Sequence, residues 1–148
     1  MSMLKIIHTL EELDTEAGAF VEGLAPRASG ATLVTLSGEL GAGKTAFVKA
    51  VAKALGVEEA VTSPTFVLEK IYKLGHPMSK FGWLVHIDAY RLGGGAELAS
   101  LGFDELMNES GNLILLEWPE RVAEVLPEAF AALTLVARAD GAHTIAYD

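Results

Sequence analysis

The sequence predicts a three-layer α/β domain whose sheet is mostly parallel. Short apolar runs rich in β-branched residues alternate with segments whose apolar residues recur at helical spacing. A glycine-rich segment joins one of these runs directly to a helix. Near the end of the chain, two β-type runs flank Asp140-Gly141, a pair that favours a tight hairpin. The hairpin is expected to add antiparallel strands at one edge of the sheet.

The first part of the chain predicts a strand over residues 3–8, followed by a helix. Thr9 and Glu12 have the spacing of a capping box, in which each side chain accepts a hydrogen bond from the backbone of the other residue. The helix then continues with apolar residues at helical spacing, namely Leu10, Leu13, Ala17, Phe20 and Leu24. Residues 26–30 break this pattern.

A buried strand, a glycine-rich turn and a second helix follow. Ala31–Leu36 is short, apolar and β-branched, which is typical of a strand covered on both faces. The turn covers Gly38–Thr45, and the helix runs from about Lys44 to Leu55, with Gly56 as its C-terminal cap. The later predicted strands are Phe66–Leu74, Trp83–Ile87, Asn112–Leu116, Leu133–Ala139 and Ala142–Tyr147. The later predicted helices are residues 97–107 and residues 119–126.

Composition limits the class of function. A chain of 148 residues has the size of one domain, so we predict a single domain over residues 1–148. The net charge of −9 argues against unaided binding of nucleic acid, but a small anion needs only a local pocket of donors. The absence of cysteine excludes disulfides, thiolate metal sites and cysteine nucleophiles. No signal peptide or membrane-spanning run is recognisable, so we expect a cytoplasmic protein.

The glycine-rich turn matches the Walker A pattern of phosphate-binding loops, which makes the predicted fold P-loop NTPase-like. Its residues, all predicted to bind nucleotide, are Gly38, Glu39, Leu40, Gly41, Ala42, Gly43, Lys44 and Thr45. Glycines let backbone N–H groups converge on phosphate oxygens, and the helix N-terminus adds unpaired donors. Lys44 brings a positive charge to the β- and γ-phosphates, and Thr45 offers a hydroxyl ligand to Mg²⁺.

Two acidic residues end predicted strands. Asp88 follows residues 83–87, and Glu117 follows residues 113–116. The carboxyl ends of strands carry the functional groups in open α/β sheets, so both acids are candidates for the catalytic centre and for the metal. Either can bind Mg²⁺, directly or through water, and either can position the attacking water. The sequence leaves these two roles open, and each acid alone can also be a simple turn or helix cap.

Four motifs in this order resemble the TsaE (YjeE) family, the small P-loop ATPases of bacterial tRNA threonylcarbamoyladenosine biosynthesis. They are Gly-Glu-Leu-Gly-Ala-Gly-Lys-Thr at 38–45, Ser-Pro-Thr-Phe at 63–66, His-Ile-Asp-Ala-Tyr-Arg-Leu at 86–92, and Leu-Glu-Trp-Pro-Glu-Arg at 116–121. The resemblance covers about residues 31–122. It implies binding and hydrolysis of ATP with Mg²⁺ in support of TsaD and TsaB, the proteins that modify the tRNA.

The resemblance also implies roles for single residues. Lys44 and its loop are expected to hold phosphates, Thr45 and Glu117 to bind magnesium, and Asp88 to lie at the hydrolytic centre. Thr65 is expected in a switch-like loop and Thr9 near the nucleotide. Members of the family often carry an arginine just past the hairpin turn, where this chain has Ala142-His143. That arginine helps to hold the nucleotide in the family, so the resemblance leaves His143 or Arg138 as candidate substitutes on the adenine side.

Two other functions are compatible with the phosphate-binding loop. A small-molecule kinase usually needs clustered lid arginines, and Arg27, Arg91, Arg121 and Arg138 are scattered along the chain. A nucleotide-gated binding module needs no hydrolysis, whereas Asp88 and Glu117 beside Lys44 favour it.

Overall fold

The computed structural model describes residues 3–59, 69–75 and 80–148. Its strands are β1 (Met3–Ile7), β2 (Thr32–Ser37), β3 (Glu69–Lys73), β4 (Trp83–Asp88), β5 (Asn112–Glu117), β6 (Ala131–Ala137) and β7 (His143–Tyr147). Its α-helices are α1 (Leu10–Glu22), α2 (Lys44–Ala54), α3 (Gly95–Ser100) and α4 (Phe103–Met107). No helix in the described part of the chain is long and apolar enough to cross a membrane.

The strands form one sheet in the order β1-β7-β6-β2-β5-β4-β3. Strands β6, β2, β5 and β4 are parallel to one another and make up its centre. The β6–β7 hairpin and β1 are antiparallel at one edge. This arrangement confirms the predicted α/β fold and its edge hairpin. Strand β3 adds a second antiparallel edge, because the segment between it and β4 is too short for a crossover helix.

Helices cover both faces of the sheet, and the strand alternation assigns each side chain to one face. On β5, Leu113 and Leu115 join the apolar cluster beneath α1 and α2. Ile114 and Leu116 join the opposite cluster, beneath α3 and α4. The same alternation carries Glu117 to the α2 face, where the N-terminus of α2 lies.

Local signals in the sequence correctly predict several element ends. Thr9 and Glu12 form the capping box at the start of α1: the Glu12 N–H donates to Thr9 Oγ1 at 3.0 Å, and the Thr9 N–H donates to Glu12 Oε2 at 3.2 Å. Gly56 has a φ of +82° just past α2, as expected for a C-terminal cap. The Asp140-Gly141 turn joins β6 to β7.

Other element bounds differ from the prediction. The helix predicted over residues 97–107 is two helices, because Gly102 adopts a φ of +81° between them. The helix predicted over residues 119–126 is two 3₁₀ turns, Pro119–Arg121 and Ala123–Val125. Strand β6 ends at Ala137 rather than residue 139, since the hairpin closes at Arg138. Residues 66–68 of the predicted third strand lie outside the described residues.

Candidate active site at the phosphate-binding loop

The Walker A loop connects β2 to α2 in a conformation that requires glycine. Gly38, Gly41 and Gly43 have φ values of +150°, +81° and +104°. A Cβ added at Gly38 would also collide with the carbonyl oxygen of Leu135 on β6. Gly43 is the N-cap of α2 and has no side chain to cap the first N–H groups of that helix. The geometry therefore suits a bound anion at the helix N-terminus.

Lys44 is buried and folds back over its own loop. Its ammonium donates hydrogen bonds to the carbonyl oxygen of Gly38 and, at 3.0 Å, to that of Glu39. The Nζ atom lies 4.2 Å from the centre of a Trp118 ring, a cation–π contact. Burial lowers the pKa of Lys44, and the charges of Glu117 and Asp88 oppose this shift. A positive charge is thus held at the loop before any ligand arrives.

Thr45 and Glu117 meet beside Lys44. The Thr45 Oγ1 atom lies 3.2 Å from Oε2 and 3.4 Å from Oε1 of Glu117, whose side chain is buried. Asp88 and Glu117 are register partners at the ends of the parallel strands β4 and β5. A cavity of about 350 Å³ is lined by Lys44, Thr45, Asp88 and Glu117 together with Tyr90, Trp118 and part of the loop. The structure therefore brings the predicted catalytic residues to one place.

The donor atoms at this cavity fit a magnesium ion. A threonine hydroxyl and a carboxylate are hard oxygen ligands, which Mg²⁺ prefers. In the described part of the chain, no group of three or more His, Asp and Glu side chains could hold a metal by itself. Mg²⁺ usually takes one or two carboxylate or hydroxyl ligands from a protein and the rest from phosphates and water.

Asp88 lies half-buried, and its Oδ1 accepts a hydrogen bond of 3.0 Å from the Tyr90 N–H. Burial raises the pKa of Asp88. The Tyr90 hydrogen bond lowers it, and the charge of Glu117 raises it further. A carboxyl with a raised pKa in the folded state holds its proton more tightly there. The free energy of unfolding therefore falls as the pH rises from about 4, the unfolded pKa, through the folded pKa.

Replacing Asp88 by asparagine should remove this loss of stability. We expect Asp88→Asn to unfold at higher urea concentration than the wild type at about pH 7, and the difference to shrink towards about pH 3, below the unfolded pKa, where Asp88 is protonated in both states. Urea titrations in EDTA across this range would test the expectation. A difference that stays constant with pH would contradict it.

A second cavity, of about 220 Å³, adjoins the other side of the loop. Thr9 and His143 line it together with Ala42, Gly43 and apolar residues of β1, α1, β6 and β7. Arg138 is not among the lining residues and forms an ion pair of 3.0 Å with Asp140. Of the two predicted adenine-side substitutes, His143 is the one beside the loop. Thr65 lies outside the described residues.

Two contacts at the site were not predicted from the sequence. His86 Nε2 lies 2.6 Å from Glu117 Oε2, although a histidine inside an apolar strand usually indicates only a core or surface residue. Trp118 packs on the apolar cluster beneath α3 and α4, the ordinary role of a tryptophan at this position, and it also contacts Lys44 and packs on Tyr90 with ring centres 4.9 Å apart. Trp118 also has a φ of +61°, which is unusual for a non-glycine residue. The sequence does hold a signal for both residues, because each stands close to a predicted acid. His86 comes two residues before Asp88, and Trp118 directly follows Glu117.

Comparisons with known proteins identify the family of the chain. A family model described as "Threonylcarbamoyl adenosine biosynthesis protein TsaE" matches residues 9–145. The chain is 48% identical over 98 residues to the tRNA threonylcarbamoyladenosine biosynthesis protein TsaE of Streptomyces coelicolor, covering 65% of this chain and 62% of that protein. It is 36% identical over 131 residues to the protein of that name in Rickettsia bellii, covering 88% of this chain and 83% of that protein.

The fold has a counterpart among solved structures. The crystal structure of Bacillus subtilis YdiB superposes with a TM-score of 0.75 at 26% sequence identity, covering 99% of this chain and 84% of that one. The family match spans most of the chain and includes the phosphate-binding loop with both acidic strand ends. The chain therefore belongs to the TsaE family, the threonylcarbamoyl adenosine biosynthesis proteins.

Proposed function

We propose that this protein binds and hydrolyses ATP with Mg²⁺ and thereby supports the formation of threonylcarbamoyladenosine in tRNA, acting with TsaB and TsaD. One observation carries the proposal: Lys44, Thr45, Asp88 and Glu117 line a single cavity at the N-terminus of α2. A lysine, a hydroxyl and two carboxylates around a phosphate-binding loop are the groups that phosphoryl transfer to water requires.

Each group has a role in this proposal. The loop N–H groups and Lys44 bind the β- and γ-phosphates, so the charge that builds up in the transition state meets donors already in place. Thr45 and Glu117 would hold Mg²⁺, which when bound would offset negative charge on the phosphates. Asp88, at the end of the neighbouring strand, positions the attacking water. The adenine side of the nucleotide occupies the cavity between Thr9 and His143.

The acidic charge of the chain supports a protein partner. With a net charge of −9, the chain lacks the excess of lysine and arginine that direct tRNA binding needs. We therefore place the tRNA on the partner proteins. The proposed role in tRNA modification in turn places the assembly in the cytoplasm.

The test is ATP hydrolysis by the wild-type chain with Mg²⁺, alone and with purified TsaB and TsaD from the same source. Hydrolysis is expected to rise when both partners are present, because a partner can complete a P-loop site. Nucleotide binding without any response to the partners would overturn the partner assignment and leave the nucleotide site. ADP release that depends on a small-molecule acceptor would instead indicate a kinase.

A further inference from the structure

His86 is a fully buried polar residue in the middle of the sheet. Leu84, two residues earlier on β4, belongs to the apolar cluster beneath α1 and α2, and the strand alternation places His86 on the same face. Burying an imidazole among apolar side chains costs free energy unless a hydrogen bond compensates. The compensation at this position comes from Glu117, whose Oε2 lies 2.6 Å from His86 Nε2.

The direction of this hydrogen bond follows from the chemistry of its partners. An ionised carboxylate can only accept a hydrogen bond, so the N–H group of His86 Nε2 is the donor and Glu117 Oε2 the acceptor. Hydrogen bonds to a charged group are shorter and stronger than neutral ones, and this distance is short. The contact is also enclosed, since His86 and Glu117 are both buried. Water cannot readily replace the imidazole at that position.

The two carboxylate oxygens of Glu117 are placed differently. Oε2 has the histidine at 2.6 Å and Thr45 Oγ1 at 3.2 Å, whereas Oε1 has Thr45 Oγ1 at the longer distance of 3.4 Å. A glutamate has three rotatable side-chain bonds, so a free carboxylate would sample many orientations. Contacts from β4 and from α2 together restrict it to one.

We propose that His86 is a positioning residue, which holds the Glu117 carboxylate against Thr45 in the orientation that binds the magnesium of a Mg–nucleotide complex. The inference rests on the proposed function, because it assigns His86 to the metal side of that same site. A ligand that is already oriented loses less entropy when the metal binds. Losing the His86 hydrogen bond should therefore weaken metal binding while leaving the phosphate-binding loop unchanged.

Two polar replacements of similar size distinguish positioning from a core-packing role. In His86→Gln the amide nitrogen can occupy about the position of Nε2 and still donate to Glu117. In His86→Asn the side chain is one bond shorter, so its amide falls short of Glu117. Leu84→Met is the matched control, because it changes the same face of the same strand while nearly conserving volume.

The experiment measures metal binding directly. Mn²⁺ replaces Mg²⁺, and the electron paramagnetic resonance signal of free Mn²⁺ gives the binding midpoint in the presence of a non-hydrolysable ATP analogue. Calorimetry with the same analogue in EDTA gives the metal-free nucleotide affinity. His86→Asn is expected to raise the Mn²⁺ midpoint roughly 10- to 100-fold, with the metal-free affinity unchanged. His86→Gln should recover most of this loss, and Leu84→Met should match the wild type.

Three outcomes would overturn the proposal. An unchanged Mn²⁺ midpoint in His86→Asn would leave the histidine without a positioning role. Equal losses with metal and in EDTA, together with a lowered melting temperature and no recovery in His86→Gln, would make its role purely structural. If His86→Asn does not fold, the test rests on His86→Gln. A Mn²⁺ binding midpoint of His86→Gln far from the wild-type value would then overturn the proposal, whereas a midpoint near the wild-type value would support it. A wild type that shows no metal-dependent nucleotide binding would overturn the proposed function itself.

Discussion

Lys44→Ala is expected to abolish measurable ATP hydrolysis, with and without the partner proteins. The carbonyl oxygens of Gly38 and Glu39 hold the ammonium at the loop, so its positive charge is already close to the proposed phosphate site. Removing one such group typically lowers turnover on the order of 10²–10³-fold. A loss of that size is expected to bring phosphate release down to background. The assay is phosphate release with Mg²⁺ and ATP.

Lys53→Ala is the matched control for this experiment. Lys53 lies in the last turn of the same helix, on the surface, where it pairs with Asp14 at 2.7 Å. It carries the same charge but lies far from the cavity, so its removal should leave hydrolysis unchanged. Hydrolysis that survives in Lys44→Ala, or falls equally in both variants, would refute the assignment of the loop lysine.

Glu117→Gln is expected to lower hydrolysis by about 100-fold or more, which corresponds to about 3 kcal/mol of activation free energy. The amide keeps the size of the side chain and one oxygen that can accept from His86, so the fold should survive. It removes the negative charge that is proposed to bind Mg²⁺. Nucleotide affinity in EDTA should therefore stay near the wild-type value, while the Mg²⁺ concentration needed for half-maximal hydrolysis rises.

The control is Glu109→Gln, an exposed residue just before the other end of β5. It makes the same chemical change near the same strand and should behave as the wild type. Hydrolysis in Glu117→Gln at the wild-type rate and the wild-type Mg²⁺ concentration would show that Glu117 is not a metal ligand. Loss of nucleotide binding in EDTA would instead place Glu117 in direct contact with the nucleotide.

Features within a few consecutive residues were predictable because the chemistry that specifies them is local. The Walker A loop, with its glycines and Lys44, is defined by eight adjacent positions. The capping box of α1 needs only Thr9 and Glu12, and the final hairpin needs only its Asp-Gly turn. Each of these follows from backbone conformation or a short-range hydrogen bond.

Element bounds were less predictable where two local preferences compete. The apolar spacing over residues 97–107 fits one helix, but Gly102 adopts a left-handed conformation that starts a new one. After Pro119, the helical spacing yields only two 3₁₀ turns, which follow Trp118 at positive φ. The pattern of apolar residues is the same in either case, and only the packing of the folded chain selects between them.

By itself, the sequence determined the α/β class, the phosphate-binding loop and the two acids that end strands. Only the tertiary structure decided which of these groups touch. Thr45 and Glu117 are 72 residues apart, and they meet because β5 pairs directly with β2, the strand that leads into the loop. The link from His86 to Glu117 likewise depends on β4 lying beside β5. Strand order results from the packing of the whole sheet, and no short stretch of sequence specifies it.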